Sequence, residues 1–219
     1  MKRLSTTLAI LLVAAFAASP MLVQAQMGAP KEKSEVAKLI EAAMASNIRS
    51  ADERARDAKE RKPVETLEFF GLQPNMTVVE LMPSGGWYTK ILAPVLAEKG
   101  KLIVAVGGAR LAPKLLEWKL DKVEAQDGKF EFRPSGQYGV GEIDAMESPI
   151  TGADMVLTFR NMHNFTPAAR AKINATVFGM LKPGGIFGVV DHTRRHMEPG
   201  AVENWRRIDP VVVIQEASA

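Results

Sequence analysis

The 219-residue chain carries 28 Lys and Arg against 25 Asp and Glu, has no cysteine, and is 47% hydrophobic. This length suits one domain with a substantial core, and the lack of cysteine excludes disulfides, a thiol nucleophile and any cysteine-held metal or lipid. Near-balanced charge without a concentrated basic stripe speaks against nucleic acid as a partner.

At the N-terminus Lys2 and Arg3 precede an apolar run over residues 8–18, followed by Pro20 and the small-residue site Val23-Gln24-Ala25. That is the physical pattern of a secretory signal peptide, and the run is too short to span a bilayer as a finished helix. Cleavage is expected after Ala25. It leaves 26 basic and 25 acidic residues, no stable membrane anchor, and a soluble protein of the kind found in a bacterial periplasm.

Residues 34–48 place Val36, Leu39, Ile40, Ala43 and Met44 at helical spacing behind the cap Ser34. The charge-dense stretch 50–62 admits two readings. It is a solvated helix laced by pairs such as Asp52–Arg56 and Asp57–Arg61, or a lid in which Arg56, Asp57 or Arg61 folds over a ligand site. With it, residues 26–62 form an N-terminal helical segment, and 63–219 an α/β domain. Pro63 then opens a short helix that Gly71 stops.

The apolar, β-branched run 77–81 reads as a first strand. Pro83-Ser84-Gly85-Gly86 follows as a tight turn, and helical spacing resumes over 87–98. Strand, turn and helix of this kind bring bare N–H groups and a helix N-terminus to a ligand. Further strands are predicted at 102–106, 129–133, 155–159 and 186–190, with helices over 112–123 and 166–181 and a long loop over 134–152. Five strands alternating with helices imply a mainly parallel sheet with helices on both faces. Ligands bind such sheets at the C-terminal strand ends, here Glu80 to Gly86, Gly107-Gly108, Arg160 to Asn164, and Asp191-His192.

The segments MLKPGGIFGVVDH (180–192) and ADMVLTFRNMHNF (153–165) resemble the turn and strand after the fourth crossover helix, and the fourth strand, of class I S-adenosylmethionine-dependent methyltransferases. The likeness spans roughly residues 64–195. It is nearest to a subgroup of exported, predicted methyltransferases with Gly-Trp-Tyr-Thr in the first turn. It implies a Rossmann-like methyltransferase fold, S-adenosylmethionine as cofactor, and a small-molecule methyl acceptor. In that family the first strand ends in D/E-x-G-x-G-x-G. Laid on this chain, the acid is Glu80 and the glycine positions are Met82, Ser84 and Gly86. The resemblance thus assigns the cofactor to Glu80, Ser84, Gly85, Gly86 and Trp87, and the acceptor to Arg160, Asn161 and His163, with His163 as a general base. The acid that meets the ribose after the second strand is missing; Gly107, Gly108, Ala109 and Arg110 stand there instead.

Other readings follow from the same residues. Arg110 suits a dinucleotide 2′-phosphate, although the first turn lacks G-x-G-x-x-G. His192 and His196 have metal-ligand spacing on a helix, without a third ligand in view. Met82 and Ser84 at glycine positions fit a non-catalytic binding module for a small molecule or a protein on a methyltransferase scaffold. Two further strands normally complete the family's sheet, and none is expected after residue 190. The fifth strand is then an uncovered edge open to self-association.

Overall fold

A computed structural model describes residues 32–219 apart from Tyr138, Val202 and Glu203. The expected signal peptide and its cleavage site lie outside the described residues.

Three short helices precede the sheet: α1 (Glu35–Met44), α2 (Ala51–Arg56) and α3 (Pro63–Phe69), with a π-helical turn at Asp57–Arg61 between the last two. Ser34 caps α1 through its hydroxyl on the Ala37 N–H. A full capping box opens α2: Ser50 accepts from the Glu53 N–H, and the Glu53 carboxylate takes the Ser50 N–H. Each device satisfies donors that a helix start leaves orphaned.

The sheet is parallel, with strand order β3-β2-β1-β6-β7. Its strands are β1 (Thr77–Leu81), β2 (Lys101–Ala105), β3 (Glu124–Ala125), β6 (Ala153–Phe159) and β7 (Leu181–Val190). Helix α4 (Thr89–Leu96) follows β1, α5 (Gly108–Glu117) follows β2, and α6 (Pro167–Met180) joins β6 to β7. This is the Rossmann-like arrangement that the strand and helix pattern implies. Strand β1 lies in the middle, paired with β2 and β6.

Alternation along β1 splits the core. Val78 joins Ile40, Leu67, Ile91 and Leu92 on one face, while Val79 and Leu81 join Ile173 and Val177 of α6 on the other. Glu80 shares the parity of Val78. Its carboxyl is therefore carried toward the start of α4, buried on the apolar side.

Several expectations need correction. The strand at 129–133 is not in the main sheet. Phe130–Pro134 (β4) pairs antiparallel with Gly141–Met146 (β5) in a separate hairpin, so the long loop over 134–152 is largely a hairpin arm. The third sheet strand is only the two residues Glu124–Ala125, too short to show as an apolar run. The helix expected at 112–123 runs instead over Gly108–Glu117, capped at Trp118. The LKPGG turn lies within β7, where the register slips between the pairs Ala153–Leu181 and Met155–Ile186. Strand β7 is the last of the sheet among the described residues, and the apolar run near the C-terminus forms α7 (Pro210–Ala217).

Candidate functional site

The chain leaves β1, β2 and β6 in the same unusual way. Met82, Val106 and Arg160, each directly after its strand, have φ of 57°, 59° and 64°. A left-handed backbone costs an L-residue roughly 1–2 kcal/mol, and for a β-branched residue such as Val106 it is a genuine outlier. Strain of this kind persists where surroundings over-determine it, and it gathers at functional sites. The restraints here are specific. The Met82 N–H donates to Ala105 O (2.8 Å) and the Arg160 N–H to Val190 O (2.7 Å). Asn161 Nδ2 reaches Thr158 Oγ1 at 2.9 Å and Met82 O at 3.3 Å, tying the β6 exit to the β1 exit.

The turn after β1 carries the pattern further. Ser84 (φ 53°) and Gly86 (φ 76°) are also left-handed. All three positions that align with glycines, Met82, Ser84 and Gly86, therefore keep the backbone that glycine favours, although two carry side chains. Ser84 and Gly85 form the exposed tip, and a Cβ on Gly85 would meet nothing within 4 Å.

A cleft lies over these strand ends in two parts that share Met82, Ser84, Asn161 and Asn164. One part, about 670 Å³, is bounded by Glu80, Gly85, Trp87 and the charged segment through Glu53, Arg56 and Arg61. The other, about 890 Å³, has apolar walls at Val106, Phe130 and Phe132, with Arg110 beside them. Within the first part, Glu80 is 2% exposed and accepts from Thr89 Oγ1. Burial pushes its carboxyl up to about 8, against a smaller opposing effect of the Thr89 bond.

The charged segment is the roof of this part, as the lid reading expects, but its pairing differs. Asp57 pairs with Arg49 rather than Arg61, through bonds of 2.7 and 2.8 Å to side chains that are almost wholly buried. Two guanidiniums lie over the Trp87 ring, Arg49 at 4.7 Å and Arg61 at 4.6 Å from its centre. Arg61 is held below its ordinary value by burial and by the Arg160 charge. Tyr88 stacks on Phe159, and burial pushes its phenol up to about 12. Lys90 bonds both Glu53 oxygens at 3.0 Å and stands 4.3 Å over the Trp118 ring. Burial alone would raise Glu53, but the Ser50 N–H and the Lys90 ammonium outweigh it and hold that carboxyl low.

At the β2 exit an acid is present after all, brought from far along the chain. Asp127 Oδ1 takes the N–H groups of Gly107 (3.0 Å) and Gly108 (2.9 Å), and Oδ2 that of Ala109 (2.9 Å). Its carboxylate fills the anion-binding N-terminus of α5. Sequence reasoning missed it because Asp127 follows the unrecognised two-residue strand β3.

Of the expected cofactor residues, Glu80, Ser84, Gly85 and Trp87 line the cleft. Gly86 does not: a Cβ there would stand 2.8 Å from the Trp118 ring, so its free face is covered by protein. The three residues expected at the acceptor separate. Asn161 lines both parts of the cleft, but its amide nitrogen is engaged by the Thr158 hydroxyl and by the Leu81 and Met82 carbonyls. Arg160 lines the charged part and donates from Nε to His192 Nε2 at 2.8 Å. His163 lines neither part; its Nδ1 faces Asp191 Oδ1 in the interior. His192 and His196 serve separate partners, Arg160 and Asp209. Burial, with help from the Arg160 charge, holds His192 below its ordinary value.

No protein-family model matches this chain. It is similar to an uncharacterized methyltransferase of Synechocystis sp., with 28% identity over 125 residues, which are 57% of this chain and 51% of that protein. The match thus spans about half the length of the curated relative. Among solved structures, an S-adenosylmethionine-dependent methyltransferase from Aquifex aeolicus superposes with a TM-score of 0.52 at 15% identity, covering 76% of this chain and 86% of its own. The cyclase SpnF gives 0.52 at 14%, covering 84% and 67%. Human N-acetylserotonin methyltransferase in complex with S-adenosylmethionine gives 0.50 at 13%, covering 84% and 50%. At these identities the structural likeness is one of fold, and that fold is the methyltransferase form of the Rossmann-like sheet.

Proposed function

We propose that this chain is a periplasmic S-adenosylmethionine-dependent methyltransferase acting on a small molecule. The observation that carries the reading is the turn after β1. Met82, Ser84 and Gly86, which align with the family's glycines, all hold the left-handed backbone that glycine favours, just after a buried acid at the family's acid position. The curated relative's name points the same way. The basic, apolar N-terminus and the lack of cysteine support export.

The residues fit the cofactor. A buried carboxyl at Glu80 suits a cationic amino group. Gly85 leaves its backbone open, and Trp87 Nε1 is a buried donor without a partner, suited to a carboxylate. Val106, Phe130 and Phe132 offer apolar faces for a purine ring. Bound there, S-adenosylmethionine supplies a methyl group activated as a sulfonium. The protein's task is then mainly to position donor and acceptor and to exclude water. Arg61 and Trp87 line the charged part of the cleft, with the buried Arg49–Asp57 pair behind the Trp87 ring. Calorimetric titration of the chain with S-adenosylmethionine and S-adenosylhomocysteine tests the reading: micromolar binding, lost in Glu80→Ala, is expected. A folded sample that binds neither compound overturns it.

A binding module without catalysis is the second reading. It is favoured by the Met82 and Ser84 side chains standing where the family has none, and by Asp127 being consumed by backbone N–H groups. Binding of S-adenosylhomocysteine with no methyl transfer to any of a broad set of acceptors would select it.

A further inference from the structure

His163 lines a second cavity of about 450 Å³, beside the cleft, with Gln137, Val140 and Phe165 as the shared wall. The His163 side chain is fully buried. Asp191 Oδ2 takes the His163 N–H (3.0 Å) and Oδ1 takes the His192 N–H (2.7 Å). A carboxylate only accepts, so the His163 Nδ1 facing it carries a proton, and in that tautomer Nε2 presents a lone pair. That Nε2 is buried without any hydrogen-bond partner. A buried polar atom left unpaired in a cavity wall is uncommon and asks for an explanation.

The other charged groups of the cavity fall into two sets. Arg170 is neutralised by Glu216, through two bonds of 2.6 Å. Asp209 is satisfied by His196 Nδ1 and by the Met197 and Val211 N–H groups. Arg194 and Arg207 have no ion pair among the described residues. Arg207 Nη1 bonds only the Thr193 carbonyl, and Arg194 Nε is a second buried nitrogen without a partner. Trp205 lines the cavity, with the Arg206 guanidinium 5.1 Å from its ring centre. Its ring packs so closely on the hairpin that a Cβ on Gly139 would fall 2.2 Å from it.

We infer that this cavity is a binding site for a small hydroxylated aryl carboxylate. Its carboxylate meets Arg194 and Arg207, its ring lies along Trp205, and its hydroxyl donates to His163 Nε2. A cavity of this size suits a ligand of that class. Two cations without an ion pair among the described residues, lining the same cavity as one lone-pair acceptor, match a molecule with an anion at one end and an O–H at the other. The site stands apart from methyl transfer and does not depend on it.

The test is calorimetric titration of the full chain with 4-hydroxybenzoate and with benzoate, in the wild type, Arg207→Ala, Arg194→Ala and His163→Gln. 4-Hydroxybenzoate is expected to bind below millimolar concentration. Benzoate should bind about tenfold more weakly, because Nε2 is then left unpaired. Each arginine variant should lose about tenfold for both compounds, and His163→Gln should lose the preference for the hydroxyl. Arg207 is exposed, so its variant keeps the test sound if the buried ones fail to fold. No binding by folded wild type, equal binding of the two compounds, or unchanged binding in Arg207→Ala overturns the assignment. S-Adenosylhomocysteine titrated into Arg207→Ala should behave as in wild type. If it binds neither protein while the hydroxybenzoate pattern holds, the methyltransferase reading alone fails.

Discussion

Arg49 and Asp57 face each other through two bonds of 2.7 and 2.8 Å, and the Arg49 guanidinium at the same time lies 4.7 Å from the centre of the Trp87 ring. One buried pair therefore links the N-terminal charged segment to the turn after the first strand. Arg49 also donates to Met44 O at 2.9 Å, which fixes the loop after α1. The segment over the cleft is thus built into the interior at one end, while Arg61 and Arg56 at its other end face the cavity.

Breaking that pair has a large expected cost. Asp57→Asn leaves a buried guanidinium without its counter-charge, and removal of one partner of such a pair costs about 3–5 kcal/mol. Urea unfolding should show this loss, and the variant should bind S-adenosylhomocysteine more weakly because Arg61 and Trp87 lose their support. A loss below about 1 kcal/mol would mean that water reaches Arg49 in the folded chain.

Glu80 sets a pH dependence of definite sign. Its carboxyl titrates near 8 in the folded chain against an ordinary 4.5. The stability it contributes is whole below about pH 4.5 and is lost as pH rises toward 8. Glu80→Gln should match the wild type at pH 4 and exceed it in thermal stability at pH 8 to 9. A cationic group bound at Glu80 favours the ionised form, so cofactor binding at pH 7 should release a proton. Titration heats in buffers of different ionisation enthalpy read that proton directly.

The turn after β1 predicts unequal effects two residues apart. Ser84→Gly removes a left-handed L-residue from an exposed tip. The relief is offset by the freer unfolded chain, so stability should change by no more than about 1 kcal/mol. Gly86→Ala adds a Cβ at φ 76° that stands 2.8 Å from the Trp118 ring. It should cost about 2 kcal/mol or more. Paired denaturant curves check both magnitudes.

His192 acts in the acid direction. Its folded-state value lies below the ordinary 6.5, so the neutral ring favours folding and that stability is lost as pH falls through about 6.5 and below. Protonation also removes the lone pair that accepts from Arg160 Nε. The stability difference between wild type and His192→Gln should therefore shrink between pH 7 and pH 5. A difference that stays constant over that range would place the His192 ring in ordinary solvent.

Much of the fold is written locally. Apolar runs at 77–81 and 155–159, capping serines and threonines, and stop signals at Gly71 and Gly100 set the parallel sheet, because strand and helix periodicity are properties of neighbouring residues. Glu80 at the end of β1 and the turn at 83–86 were legible for the same reason. The charged segment showed its density but not its partners, since Arg49 is drawn to Asp57 by burial rather than by helical spacing. Other features depend on contacts distant in sequence. Two residues of β3 pair with β2 and bring Asp127 to the N-terminus of α5. The β1, β2 and β6 exits brace one another into left-handed turns at Met82, Val106 and Arg160. The chain folds His163 inward onto Asp191, 28 residues away, and out of the cleft where its neighbours Arg160 and Asn161 remain. Sequence determines which segments can be strands, turns and helices. Packing decides which side chains are left facing an open cavity, because burial and hydrogen bonding are settled only when distant elements meet.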